Sequence, residues 1–374
     1  MRISILLGCV SSVLVLSCTT PLDSVLTAEH PAIRTVMDSL ENHEVQILYT
    51  QIDTTDKGLI TFKDYVFQEN KKNYFYPAST VKLPIALLAT EYINTHPEIE
   101  LDTPYISERD SVLHSVSDDI RQIFAVSDNE AYNRLYDLLG RDYINTRLKE
   151  LALSPTRISH RLSTTNADKA ERGTIKFFPS YEGDIITIEE QIDQPIVAIK
   201  IKKQQKGKGY LKDSTQISTP FDFSDKNYFP LKAQHELMKR VFFEDQFDAD
   251  QRFNISYTDK IRIQKAMYTL PRKAKYDPET YYDSYVKFFL YGDSKDPIPD
   301  HIKIYNKVGY AYGTLTETAY VVDEKEGIQF LLSATILVNK NEIFNDDTYE
   351  YDTIGIPFLA QLGREIYALE KNRK

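Results

Sequence analysis

Ser79-Thr80-Val81-Lys82 stands directly before the apolar run Leu83-Pro84-Ile85-Ala86-Leu87-Leu88-Ala89, and this junction constrains the chain more than any other feature. A helix starting there places residues three apart on one face, so the Ser79 hydroxyl and the Lys82 amine can meet. Serine is a weak nucleophile until a neighbour takes its proton, and a neutral, partly desolvated lysine is one of the few side chains able to do so. The unpaired N–H groups of a helix N-terminus also favour the oxyanion that forms when an acyl carbonyl is attacked. Taken alone, the same spacing describes a helix cap followed by a solvated lysine.

Two further motifs follow in order. Ser127-Asp128-Asn129 comes next, and Lys307-Val308-Gly309 comes much later, before a strand-like stretch. The ordered set Ser-x-x-Lys, Ser-Asp-Asn, Lys-Thr-Gly is the signature of class A β-lactamases and penicillin-binding proteins. The chain resembles that superfamily, most closely its class A branch, over roughly residues 40 to 370.

The order of elements agrees with the resemblance. Val45 to Ile52 and Tyr65 to Gln68 read as strands around a turn near Asp56-Lys57-Gly58. Thr314 to Val322 and Ile328 to Val338 read as an antiparallel hairpin around Asp323 to Gly327. Phe358, Leu359, Leu362, Ile366 and Leu369 recur at helical spacing and predict a final helix packed on the sheet. Helices are expected over Asp118 to Ala125, capped by Ser117, and over Glu130 to Leu139, stopped by Gly140. The resemblance implies an α/β (α+β) two-lobed β-lactamase-like fold: an antiparallel sheet flanked by helices, plus an all-helical lobe, with the site in the cleft between them.

It also implies roles for particular residues. Ser127 would relay a proton to the leaving nitrogen, and Asn129 would hold Lys82 and the amide side chain of the substrate. Lys307 would point its ammonium at Ser127 and at the substrate carboxylate. Gly309 would allow close backbone approach, and the N–H of Tyr310 would join that of Ser79 in an oxyanion hole.

Two departures bear on the activity. Val308 replaces the usual hydroxyl residue, removing one hydrogen bond to a substrate carboxylate. Aligning Thr156-Arg157-Ile158 with the start of the family's omega loop places Leu162 where class A enzymes carry the glutamate that activates deacylating water, while Asn166 matches. Asp168 and Glu171 are nearby carboxylates that a loop shift would have to bring in. An insertion at about 172–218 then intervenes before the pattern resumes at Thr219-Pro220 and the helix Leu231 to Val241. Within it, Ile185 to Ile188 and Ile196 to Ile201 are expected to form an added hairpin. The basic stretch Lys200 to Lys212 reads as a solvated hairpin tip, with a rim contacting anionic wall polymer as the alternative.

The net charge of −10 argues against nucleic acid as a partner, because phosphate binding needs a concentrated basic face. The seven histidines show no metal-ligand spacing, and Lys206-Gly207-Lys208-Gly209 lacks the setting of a phosphate loop, so no cofactor and no metal are expected. Both cysteines lie near the N-terminus, where Arg2 precedes the apolar segment Ile3 to Leu16, as in a secretory signal. Val15-Leu16-Ser17-Cys18 resembles a lipoprotein lipobox. Leu6-Leu7-Gly8-Cys9 fits the same pattern but leaves too short an apolar region before it, and an ordinary cleaved signal is the other reading. The expected organisation is a signal peptide over 1–17, a lipidated N-terminus and tether over 18–39 anchored through Cys18, and a hydrolase domain over 40–374. The location implied is the bacterial cell envelope, with the catalytic domain facing the periplasm.

Three readings follow. One is a β-lactamase-like serine hydrolase forming an acyl-enzyme at Ser79 with β-lactams or D-Ala-D-Ala-type peptides, slow to deacylate. The second is a penicillin-binding D,D-peptidase, favoured by Leu162. The third is a non-catalytic lipoprotein that binds wall peptides, opposed by the intact Ser79 and Lys82.

Overall fold

The computed structural model describes residues 20–180 and 183–373; the signal segment and Cys18 lie outside the described residues. Five strands form the main sheet: β1 (Gln46–Thr54), β2 (Ile60–Phe67), β3 (Ile302–Ala311), β4 (Thr314–Asp323) and β5 (Ile328–Leu337). All are antiparallel, in the order β3-β4-β5-β1-β2, so the two ends of the chain share one sheet. β3, which carries Lys307 and Gly309, is an edge strand. It turns into β4 through Tyr312 and Gly313, both at positive φ (52° and 73°), the backbone that a two-residue hairpin with right-handed strand twist requires.

The helices are α1 (Pro21–Leu26), α2 (Pro31–Met37), α3 (Lys82–Asn94), α4 (Val116–Ala125), α5 (Asn129–Leu139), α6 (Arg141–Glu150), α7 (Leu231–Phe242), α8 (Tyr257–Tyr268) and α9 (Ile356–Arg373). The stripe of Phe358, Leu359, Leu362 and Ile366 on α9 is fully buried against one face of the sheet, together with α1 and α2. α7 covers the other face. α3 is apolar on nearly every side and buries Leu83, Ile85, Ala86, Leu88 and Ala89 completely, which places it at the centre of the helical lobe.

Several expectations are corrected. Residues 20–39 are not a tether: Leu22, Val25, Leu26, Ile33 and Val36 seat α1 and α2 in the core beneath α9. The cap of α4 is Ser115, whose hydroxyl accepts from Asp118 N, so the helix starts one residue before Ser117. The added hairpin is also different. Ile186–Ile188 pairs with Ile175–Phe177, which pairs with Tyr105–Ser107, whereas 196–201 forms no ladder. Instead Arg157 takes the Val197 carbonyl of that segment (3.3 Å), Arg141 takes the Gln194 carbonyl just before it (2.7 Å), and Pro195 between them has no N–H to give to a strand.

The basic stretch is only partly solvated. Lys206 is buried and donates to Glu44 Oε2 at 2.5 Å, while the hairpin Gly209–Lys212/Thr215–Ile217 reaches outward. Gly209 and Tyr210 pair in parallel with Ile343 and Phe344, tying the insertion to the loop after β5.

Candidate active site

Ser79 lies on a tight turn, Ala78–Val81, that continues directly into α3. The turn packs under the edge of β3, and Gly309 is what permits the contact. A Cβ there would sit 2.6 Å from Pro77 O, 2.8 Å from Ser79 N and 3.0 Å from Thr80 N, all of them backbone atoms. The expected close approach at Gly309 is therefore present.

Lys82, in the first turn of α3, is wholly buried. Its ammonium donates to Ser127 O (2.5 Å), Ser127 Oγ (3.2 Å) and Asn129 Oδ1 (2.8 Å). The α4–α5 connection makes this possible. Ser127 adopts φ +57°, an uncommon backbone for serine, which turns both its carbonyl and its hydroxyl toward Lys82. Asp128 then caps α5 by accepting from Ala131 N (2.8 Å), and Asn129 is the first helical residue. Burial lowers the Lys82 amine to about 7, with Asp128 opposing the shift.

Lys307 arrives from the other side. It is also buried and donates to Ser127 Oγ at 2.8 Å and to Val308 O at 3.0 Å. Its pKa lies well below that of an ordinary lysine, through burial first and then Lys82 and Lys287, with Glu317 acting in the opposite sense. Ser79, Ser127, Asn129, Val308 and Tyr310 line one cleft of about 810 Å³, within the range of small-ligand sites. Ser79 Oγ has no hydrogen-bond partner among the described residues, so it does not bond to Lys82 in this state. Side chains of catalytic pairs are often looser before substrate arrives.

The opposite wall carries Arg161, Leu162, Ser163, Thr164 and Ala167. Leu162 is buried, and its backbone is clamped by Asn133 (Leu162 N to Oδ1, 2.8 Å; Nδ2 to Leu162 O, 2.9 Å). Asn166 is exposed, and neither Asp168 nor Glu171 lines the cleft. Asp128 and Asp347 are the carboxylates that do.

Sequence reasoning passed over two groups. His160 borders the cleft but is buried and neutral: burial pushes its pKa down to about 4, Nδ1 lies 2.6 Å from Arg161 O, and Nε2 accepts from Asn227 N. Behind Lys307 lies a buried polar chain. Lys287 Nζ donates to Met267 O (2.8 Å) and to Asn306, whose amide in turn donates to Val286 O (2.8 Å) and to Glu317, and Glu317 accepts from Phe289 N (2.6 Å). This chain holds residues 286–289 along the free edge of β3 and so places Tyr285 and Val286 in the cleft wall. The available signal was Glu317 itself, a charge in mid-strand where every other residue before the terminal Asp323 is apolar or carries a hydroxyl. Among the described residues no cluster of His, Cys, Asp or Glu could hold a metal ion, and no helix is long and apolar enough to cross a membrane.

Residues 30–182 match the β-lactamase enzyme family. That stretch, less than half of the chain, holds Ser79, Lys82 and Ser127-Asp128-Asn129, and over it the chain is similar to the family. Solved β-lactamase structures share this fold across nearly the whole chain. A class A β-lactamase from Mycobacterium abscessus is 10% identical, covers 93% of this chain and 98% of its own, and has a TM-score of 0.53. A class A representative from Bacteroides cellulosilyticus is 12% identical with 95% and 99% covered and a TM-score of 0.53. A variant of the reconstructed last common ancestor of Gram-negative class A enzymes is 12% identical with 95% and 100% covered and a TM-score of 0.55. Comparison with curated proteins finds no match. At such identities the structures show a shared β-lactamase-like fold, and activity has to be argued from this chain's own residues.

Proposed function

We propose that the protein is a serine acyl hydrolase that forms an ester at Ser79 with β-lactams or D-Ala-D-Ala-type peptides. The observation that carries this reading is the convergence of Lys82 and Lys307 on the Ser127 hydroxyl at the mouth of the cleft that contains Ser79. Neutral Lys82 takes the Ser79 proton as Oγ attacks the acyl carbon, and the backbone N–H groups of Ser79 and Tyr310 stabilise the oxyanion. As the C–N bond breaks, Ser127 gives its proton to the leaving nitrogen and is reprotonated by Lys82. Lys307 attracts the substrate carboxylate, and Asn129 holds Lys82 and the substrate amide. Water then cleaves the ester and restores Ser79.

Leu162 supports slow completion of that last step, which favours the penicillin-binding D,D-peptidase reading within this class. Among the described residues no carboxylate lines the Leu162 wall to take a proton from water. General-base help typically contributes about 10²–10⁴-fold to such a step. Intact-protein mass spectrometry after benzylpenicillin treatment tests both claims. A penicilloyl adduct should form, persist after excess drug is removed and vanish in Ser79→Ala. An adduct that survives Ser79→Ala refutes the nucleophile, rapid return of free enzyme with fast hydrolysis refutes slow deacylation, and failure of any adduct to form supports the non-catalytic reading.

We also infer that Cys18 carries lipid and anchors the protein in the bacterial envelope with the catalytic domain facing the periplasm. Cys18→Ser should release soluble, fully acylatable protein. An unmodified N-terminus at another cleavage site would refute the anchor.

A further inference from the structure

One wall of the cleft is unusually aromatic, and it leads away from the reacting centre. Tyr310 follows Gly309, which touches the Ser79 turn, and its side chain is 53% exposed. Its ring meets that of Tyr351 edge to face at 5.6 Å, and Tyr351 meets Tyr349 at 5.3 Å. All three line the cleft, and Asp347 lines the same cavity, close enough to Tyr349 and Tyr351 that its charge adds to burial in raising the pKa of both hydroxyls.

This end of the cleft is held in place. The Tyr349 hydroxyl accepts from Asn345 N (2.7 Å), the Tyr351 hydroxyl accepts from Gly313 N (2.8 Å), and Asn345 Nδ2 donates to Leu211 O of the insertion (2.9 Å). Asn345 and Asp347 both sit at positive φ (59° and 56°), a conformation that Asn and Asp tolerate better than most residues. Of the two adjacent acids, Asp346 turns back to accept from Asn341 Nδ2 (2.7 Å), whereas Asp347 lines the cavity and has no salt bridge among the described residues. The cations that line the cavity, Arg161 and Lys226, come from segments distant in sequence from this loop.

Aromatic faces beside an unpaired carboxylate make an environment for an ammonium group, since ring quadrupoles attract a cation within about 6 Å and the carboxylate completes the pairing. A neutral apolar group would gain the ring contacts but leave Asp347 unused. We propose that the cleft selects acyl donors carrying an ammonium group remote from the scissile bond, with Asp347, Tyr349 and Tyr351 as its recognition end. The substrate class is then a zwitterionic acyl compound, with its carboxylate toward Lys307 and its cation toward Asp347. This rests on the acyl-hydrolase reading above.

The test compares two penicillins built on the same nucleus, one with a 6-aminohexanoyl and one with a hexanoyl side chain, which differ by one terminal ammonium. Second-order rates of Ser79 acylation are followed by mass spectrometry. The ammonium compound should react about tenfold faster, corresponding to roughly 1.4 kcal/mol. Asp347→Asn should bring the two rates together, and Tyr351→Leu should reduce the ratio. High salt should narrow it as well. Equal rates in the wild-type protein, or a preference that survives Asp347→Asn, overturn the proposal while leaving the Ser79 chemistry intact. If neither compound acylates Ser79, the acyl-hydrolase reading fails, and the selectivity falls with it.

Discussion

Lys82 and Lys307 donate to the same oxygen, the Ser127 hydroxyl, from 3.2 and 2.8 Å, so their nitrogens lie within about 6 Å of each other. Two unit charges at that separation repel by about 3 kcal/mol at an effective dielectric of 20. Both side chains are buried, and no carboxylate forms a salt bridge to either among the described residues. One of the two therefore gives up its charge near neutrality: burial lowers Lys82 to about 7, and burial together with Lys82 and Lys287 holds Lys307 well below an ordinary lysine, so Lys307 keeps its charge only with an anionic substrate group beside it.

The pH dependence of acylation follows. Lys82 acts as a base only when neutral, so the acylation rate should rise through about pH 7 and level off above it. Each unit below that value should cost about tenfold. Stopped-flow acylation by benzylpenicillin from pH 5 to 9 checks this. Lys82→Arg, which cannot lose its proton, should lower the plateau by about 10²–10⁴-fold.

Gly309→Ala should be damaging out of proportion to one methyl group. The atoms its Cβ would meet at 2.6–3.0 Å belong to the backbone of the Ser79 turn, which cannot rotate away. Strand and turn must separate, and overpacking of this kind typically costs about 1–3 kcal/mol. Thermal unfolding should show a lowered midpoint, and acylation should fall at least tenfold, because separation also moves the oxyanion donors.

The buried chain Lys287, Asn306, Glu317 should behave as a unit. Glu317→Ala removes the charge that faces buried Lys287 and the acceptor of Phe289 N and the Asn306 amide, and should destabilise by about 1–3 kcal/mol. The double variant Lys287→Met/Glu317→Leu should lose clearly less, because it buries no lone charge. Urea unfolding of both variants measures the difference.

Glu44 and Lys206 hold the insertion to the start of β1. Glu44→Ala strands a buried ammonium and should cost about 1–3 kcal/mol locally. Limited proteolysis should then cut within 203–217 earlier than in the wild type, while acylation of Ser79 remains.

The sequence made the strands, α9 and the motif residues legible because each rests on local chemistry. The β-branched runs of β4 and β5, the helical stripe of α9, and Gly140 closing α5 need no partner to be recognised. What was not legible depends on distant contacts. α1 and α2 read as a tether because their few apolar residues acquire meaning only beneath α9. Segment 196–201 has strand-like composition, yet Arg157 takes its Val197 carbonyl and Arg141 of α6 takes the Gln194 carbonyl just before it. Glu317 and Lys287 are 30 residues apart in sequence, and nothing local brings them together through Asn306.

The shared sheet has a consequence for the newly made chain. β1 and β2 leave the ribosome early, and their hydrogen-bonding edge has no partner until β5, more than 270 residues after the start of β1, has been made. Ser79 and Lys82 are likewise synthesised long before the strand that carries Lys307. Pairings this distant in sequence form slowly, because the intervening loop must close first. A nascent chain thus holds a nucleophile without its oxyanion strand, and reactivity is withheld until the last quarter of the polypeptide has docked. The same delay leaves the β1 edge open to incorrect pairing, a hazard that lasts until β5 has been made and docked.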